Sequence, residues 1–394
     1  GAVLEILGRA DEAVTQYDEV ATRWSDTADP NLASQVATAF LAKGAVLEIL
    51  GRADEAVTQY DEVATRWSDT ADPNLASQVA TAFLARGAAL ETLGRTNEAV
   101  TQYDEVATRW GDTENPALAA VVATAFLAKG AVLETLGRTD EAVTQQDEVA
   151  TRWGDTENPA LAAVVATAFL AKGAALEGLG RVDAAVIQYD EVGKRWGNTT
   201  DPNLASQVAT AFLARGAALE GLNRTDEAVT QYDEVATRWG HTENPALAAV
   251  VATAFLAKGA LLEGSGRTDE AVTQYDEVVT RWGNTADPNL ASQVATAFLA
   301  KGATLEGLGR ADEAVTQYDE VTTRWDNTTD PNLASQVATA FLAKGATLES
   351  LGRADEAVTQ YDEVTTRWGN SDNPALISQV ALAEERKQVL AGDS

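Results

Sequence analysis

The sequence predicts an all-α fold, a solenoid of stacked helical hairpins. Three observations predict it. The chain repeats itself every 43 residues, with Gly1, Gly44, Gly87, Gly130, Gly173, Gly216, Gly259, Gly302 and Gly345 opening the copies. Each copy holds two stretches whose apolar residues recur at three- and four-residue steps, the period of a helix with one buried face. Each copy also carries one tryptophan, from Trp24 to Trp368, and one proline, from Pro30 to Pro374. A period in this range marks a stacked array in which no single copy can bury its own apolar face.

The first helix of a copy is clearest in "DPNLASQVATAFLARGAALETLG", from Asp72 to Gly94. Asp72 is placed to cap the helix and Pro73 to occupy its first position. Gly94 ends it as a left-handed cap, and in the sixth copy that position holds Asn223, the other residue tolerant of that conformation. The helix is roughly 21 residues, about 31 Å long. Its stripe is Leu75, Val79, Phe83, Leu90 and Leu93, with Gly87 in the gap. The second helix follows as "DEAVTQYDEVATRW", with Asp54 and Glu55 in the first turn, where the helix dipole favours them. Its stripe is Ala56, Val57, Tyr60, Val63, Ala64 and Trp67, and Glu62 faces Arg66 at the favourable i,i+4 spacing. A short turn such as "SDTAD" leads to the next proline.

Gly44 and its copies sit inside the first helix, where glycine costs about 1 kcal/mol relative to alanine. They lie on the buried stripe one turn beyond Phe40. The expectation is that the missing side chain lets two helix backbones approach closely.

"FLAKGAVL" followed by "AVTQY" resembles the tetratricopeptide repeat. Phe40, Gly44, Leu47, Ala56 and Tyr60 fall at that family's spacings, and Gly51 matches its turn glycine. Lys43 stands where the family prefers leucine, Leu47 replaces its tyrosine, and the copy is longer than the family's roughly 34 residues. The resemblance covers the whole chain. It implies a right-handed α-solenoid superhelix whose first helices line a concave surface that holds peptides.

The chain begins halfway through a first helix, so Val14, Tyr17 and Val20 on the following helix are expected to be partly uncovered, a surface through which two N-terminal ends could meet as a homodimer. At the other end a capping helix is expected over 374–391, where Glu384 and Glu385 replace the phenylalanine and leucine of other copies. The third, fourth and sixth copies carry Val121, Val164 and Val250 in place of glutamine, a freedom that suggests a half-exposed position. Gln146 replaces a stripe tyrosine and Ser265 a stripe leucine, so their copies are expected to be the softest.

Composition narrows the function. The 394 residues carry 29 Lys+Arg against 60 Asp+Glu, a net charge of -31 spread evenly along the chain. No basic patch exists to hold a phosphate backbone or an anionic membrane. Cysteine is absent and histidine occurs once, as His241 in a polar turn. No phosphate loop, dinucleotide fingerprint, nucleophile elbow or zinc motif occurs, and a ladder of identical carboxylates has nothing to push two pKa values apart. The reading is therefore non-enzymatic, without cofactor or metal. Asp29 is an N-cap, and the N-x-T triplets at Asn198, Asn223 and Asn327 are incidental to threonine-rich turns. The longest apolar run, Leu118 to Ala128, is too short to span a bilayer, and with no signal peptide a cytoplasmic location is expected.

The resemblance places the candidate binding face on the first helices, at Thr38, Leu41, Ala45, Glu48 and Ile49 in the first complete one. Leu41 recurs as Leu84, Leu127, Leu170, Leu213, Leu256, Leu299 and Leu342. Glu48 belongs to a ladder that begins at Glu5 and continues through Glu91, Glu134, Glu177, Glu220, Glu263 and Glu306 to Glu349. The plainer alternatives are a solvated Glu48–Arg52 pair for the glutamates and contact with the neighbouring copy for the leucines. Position 49 shrinks along the array, from Ile6 and Ile49 through Thr92 and Thr135 to Gly178, Gly221, Gly264 and Gly307, then Ser350, so any groove is roomier toward the C-terminus. The reading is a protein-interaction scaffold for an extended peptide or amphipathic helix with basic and apolar side chains. The alternatives are a structural array that associates through its ends and a designed or consensus-like array without a natural ligand.

Overall fold

The computed structural model describes residues 2–24, 27 and 29–392, with the side chains of Glu5 and Ile6 outside that set. The chain divides into two compact units, 1–207 and 208–394. The first unit contains α1 (Ala2–Ile6), α2 (Ala10–Arg23), α3 (Pro30–Ile49), α4 (Ala53–Arg66), α5 (Pro73–Thr92), α6 (Thr96–Trp110), α7 (Pro116–Thr135), α8 (Thr139–Trp153), α9 (Pro159–Gly178) and α10 (Val182–Trp196). The boundary falls within α11 (Pro202–Gly221). The second unit continues through α12 (Thr225–Trp239), α13 (Pro245–Gly264), α14 (Thr268–Trp282), α15 (Pro288–Gly307), α16 (Ala311–Arg324), α17 (Pro331–Ser350), α18 (Ala354–Trp368) and α19 (Pro374–Gly392). The fold is an all-α repeat, with no strand among the described residues.

The helix ends follow from the sequence. The Asp72 carboxylate accepts the backbone N–H of Asn74 at 3.0 Å and of Leu75 at 2.9 Å, with Pro73 as the first helical residue. At the other end Gly51 takes φ +72°, Arg52 N–H donates to the Leu47 carbonyl at 2.8 Å, and Gly51 N–H donates to that of Glu48 at 2.9 Å. This paired arrangement satisfies the last carbonyls of the helix. Asn223 adopts φ +57° at the matching place. Asn223→Gly should therefore leave stability unchanged or raise it slightly, whereas Asn223→Ala should cost about 1–2 kcal/mol, read from urea unfolding midpoints.

Each first helix buries a broad apolar stripe. In α5 it comprises Leu75, Ala76, Val79, Ala80, Ala82, Phe83, Ala89 and Leu90, facing α4 and α6 and the first helices α3 and α7. Each second helix buries a narrower one, in α4 Ala56, Tyr60, Val63 and Ala64.

The internal glycine serves a different purpose from the one expected. A Cβ built on Gly44 would lie 2.4 Å from Cε1 and 2.6 Å from Cζ of Tyr60. Gly44 thus makes room for a tyrosine ring from the second helix of its own repeat, rather than for a second backbone. The same ring covers Gly87, Gly173, Gly216, Gly259, Gly302 and Gly345. Gln146 replaces the ring in one repeat, and there a Cβ on Gly130 finds its nearest side-chain atom at an ordinary 3.5 Å.

Polar contacts join consecutive repeats. Lys43 pairs with Asp18 at 2.7 Å and Arg86 with Asp61 at 2.6 Å, each linking a first helix to the preceding second helix. That explains a cation where the resembled family has leucine. The Arg152 guanidinium lies 5.5 Å over Phe126 of its own repeat and donates to the Gly111 carbonyl of the preceding turn at 3.0 Å. Gln78 donates to Thr38 Oγ at 2.7 Å, and the valines that replace this glutamine, Val121, Val164 and Val250, are half-buried as expected. Ser265 stands where leucine ranges in other copies from half-buried, as at Leu50 and Leu93, to 43 % exposed at Leu136, so less packing is lost there than at a fully buried stripe position.

Four first helices, Pro30–Ile49, Pro116–Thr135, Pro159–Gly178 and Pro245–Gly264, are long and apolar enough to cross a membrane by length and composition, a property that the run at Leu118–Ala128, broken by Thr124, understated. Here their apolar stripes are buried within the repeat. At the C-terminal end, α19 keeps Leu376, Val380 and Ala383 buried and exposes Glu384 and Glu385.

Candidate functional site

The candidate residues of α3 share one outward face. Thr38, Ala45 and Ile49 are exposed, Ile49 at 79 %, while Leu41 and Glu48 are half-buried. In the first unit Leu84, Leu127 and Leu170 are likewise half-buried. In the second unit so are Leu213, Leu256, Leu299 and Leu342. Glu48 and Glu177 in the first unit, and Glu220 and Glu349 in the second, are half-buried, whereas Glu91, Glu134, Glu263 and Glu306 are exposed.

The glutamates do not pair with the arginine four residues on. Arg52 instead grips Glu55 with two bonds of 2.6 Å, in the first turn of the next helix. Glu48 turns inward and accepts the Tyr60 hydroxyl at 2.7 Å. The same bond joins Tyr103 to Glu91, Tyr232 to Glu220, Tyr275 to Glu263 at 3.3 Å, and Tyr361 to Glu349. In the odd repeat, Gln146 Nε2 donates to Glu134 at 3.0 Å. Each of these tyrosines therefore rests its ring on the glycine and its hydroxyl on the glutamate. Burial first, and the adjacent carboxylate second, push the Tyr60 hydroxyl well above the usual phenol range. Tyr361 is pushed up to about 12 by burial and Glu349, against the opposing effect of Arg386. Burial raises the Glu306 carboxyl, with its bond to Tyr318 opposing.

Two ladder members make a second contact with the next first helix: Glu306 accepts the Thr347 hydroxyl, and the other contact is ionic. Glu349 accepts Tyr361 on Oε1 and the Arg386 guanidinium of α19 on Oε2, at 2.7 Å. The position of Arg386 is alanine in the earlier first helices, as at Ala300 and Ala343.

Sequence reasoning singled out the glutamates but missed the tyrosine hydroxyls that hold them. The signal was present as an unvarying twelve-residue spacing, Glu48 to Tyr60 and onward, with a polar side chain kept at Gln146. At position 49 the glycines Gly178, Gly221, Gly264 and Gly307 are exposed, and a Cβ on any of them meets nothing within 4 Å. On α2, Val14, Tyr17 and Val20 are half-buried, whereas Tyr60 and Val63, the counterparts of the latter two, are buried. Among the described residues no cluster of three His, Asp or Glu side chains is placed to hold a metal ion, and His241 is exposed in its turn.

A family model described as tetratricopeptide repeat matches residues 7–76, 213–291, 256–327 and 299–372, together more than half of the chain. Among solved structures, the apo form of RapI is similar with TM-score 0.54 at 9% sequence identity, over 91% of this chain and 99% of that one. The apo form of the quorum sensor NprR from B. thuringiensis is similar with TM-score 0.46 at 11% identity, over 92% of this chain and 98% of that one. A tetratricopeptide repeat protein from Parabacteroides merdae ATCC 43184 follows with TM-score 0.40 at 12% identity, over 78% and 99%. No curated protein matches the sequence.

Proposed function

The chain belongs to the tetratricopeptide repeat family, whose repeats serve as protein-interaction scaffolds, and from that footing we propose that it is a non-enzymatic scaffold holding a basic, apolar peptide along its first helices. One observation carries this reading: the outward face of the first helices alternates half-buried leucines with carboxylates, while the lysines are spent elsewhere. All eight lysines, from Lys43 to Lys387, sit in ion pairs with carboxylates. The surplus of acid therefore sets the charge that a partner meets. Leucines at Leu41, Leu84 and Leu127 supply apolar contact, and Thr38, Ala45, Glu48 and Ile49 complete the face in α3. A cytoplasmic setting belongs to the same reading.

A peptide library screened against the full chain tests it. Basic, apolar peptides should bind, and their affinity should fall as salt rises from about 0.05 to about 0.5 M (about a threefold shortening of the screening length). Equal binding of acidic and basic peptides would overturn the charge preference, and a library without binders would overturn the scaffold reading. Self-association through the half-buried Tyr17 and Val20 of α2 is the alternative, and sedimentation of the peptide-free chain over a concentration range separates the two.

A further inference from the structure

We propose that the second unit recognises arginine specifically, with the tyrosine-held carboxylates of Glu263 and Glu306 receiving guanidinium groups of a partner segment that lies against Gly264 and Gly307. The inference rests on the peptide-scaffold reading and adds to it the side chain that is read and the place where it is read.

The chain supplies its own example. Glu349 offers Oε1 to Tyr361 and Oε2 to Arg386, and with that guanidinium in place its side chain is only 16 % exposed. Glu263 and Glu306 carry the same tyrosine partner, and Glu306 also accepts the Thr347 hydroxyl of α17 on Oε1, yet the helix position that would supply the arginine holds Ala300 or Ala343, and both glutamates are exposed. A carboxylate with one oxygen fixed by a hydroxyl presents the other in a defined direction. A planar guanidinium can meet it with a directed, charge-assisted bond, which a lysine ammonium matches only as a point charge.

The glycines give the second argument. Gly264 and Gly307 sit in the last turn of α13 and α15, next in sequence to these glutamates. Glycine favours the helix less than alanine does. Unlike Gly259 and Gly302, which are covered by tyrosine rings, they have no neighbour that a Cβ would strike. Packing within the chain does not demand them. An object lying on the helix surface would, and Leu256 and Leu299, half-buried on the same helices, offer it apolar contact. The net charge of -31 makes an arginine-bearing segment the complementary occupant.

Fluorescence anisotropy with three labelled peptides tests this on the full chain: one alternating leucine and arginine, its lysine twin and its citrulline twin. The arginine probe should bind about tenfold more tightly than the lysine probe, and the citrulline probe should not bind. Glu263→Gln with Glu306→Gln keeps an acceptor for each tyrosine and should weaken the arginine probe by about tenfold. The charge-matched control, Asp355→Asn with Asp372→Asn at exposed positions off this face, should change it less than twofold. Gly264→Leu with Gly307→Leu, which favours helix, should also abolish binding, with circular dichroism confirming the fold. Equal binding of the arginine and lysine probes, or a glutamine pair no weaker than the control, would overturn the inference. So would failure of the arginine probe when the library yields binders, and in each of these cases the scaffold reading stands. A library with no binder at all sinks that reading instead.

Discussion

Gly87→Ala lowers the stability of the first unit, whereas Gly130→Ala leaves it unchanged or raises it. Both glycines are buried on first helices, and in both cases alanine gains about 1 kcal/mol of helix propensity. They differ in what faces them. At Gly87 the new methyl would fall 2.4 Å from Cε1 and 2.7 Å from Cζ of Tyr103, a ring 1 % exposed and tethered through its hydroxyl to Glu91. The ring can yield only by straining the packing around it, at a cost of about 1–3 kcal/mol, and by losing the hydrogen bond, about 1.5–3 kcal/mol more. At Gly130 the nearest side-chain atom is Gln146 Nε2 at 3.5 Å, so the methyl fits. Gln146→Tyr restores the ring in that repeat and should raise its stability, since Gln146 Oε1 is buried without a partner. In the Gln146→Tyr background, Gly130→Ala should then become destabilising. The cycle formed by the two substitutions should show a coupling on the order of 2 kcal/mol, read from urea midpoints with amide exchange localising the change to α7 and α8. Equal effects at Gly87 and Gly130 would mean that the ring is not what the glycine accommodates.

Alkali should unfold the array through the same tyrosines. Their folded pKa values lie above the usual value of about 10, so the fold favours the neutral phenol. A group raised on folding contributes stability that is fully present below its unfolded pKa and is lost as pH climbs through its folded one. The window therefore opens near pH 10 and reaches to about 12 for Tyr361, and higher for Tyr60, Tyr103, Tyr189 and Tyr232. The shift of Tyr361 alone corresponds to at most about 3 kcal/mol, reduced by solvent screening around the partly exposed Arg386. Ionising several such groups exceeds the stability of an ordinary domain. Absorbance at 295 nm and far-UV circular dichroism, followed together above pH 9, should change in one step. Complete tyrosine ionisation near pH 10 with helicity retained would show that the hydroxyls are not held as described.

Much of this protein is legible in one dimension. The 43-residue period, the Asp72–Pro73 helix start, the left-handed Gly94 and Asn223, the first-turn acids and the buried stripes are local or periodic properties, and these specify backbone conformation residue by residue. The exposed face of α3 follows as well, because 3.6-residue geometry fixes which side chains lie opposite the stripe. What only the tertiary structure decided is which groups meet across helices. Glu48 has an arginine four residues away and a tyrosine twelve residues away, and spacing alone favours the arginine. Helix-against-helix packing brings the tyrosine over Gly44 and its hydroxyl onto Glu48, while Arg52, already past the turn, finds Glu55. The purpose of the glycine, the partner of Lys43 and the guanidinium on Glu349 all rest on distances between helices that are remote along the chain, and those distances are set by how the side chains interlock.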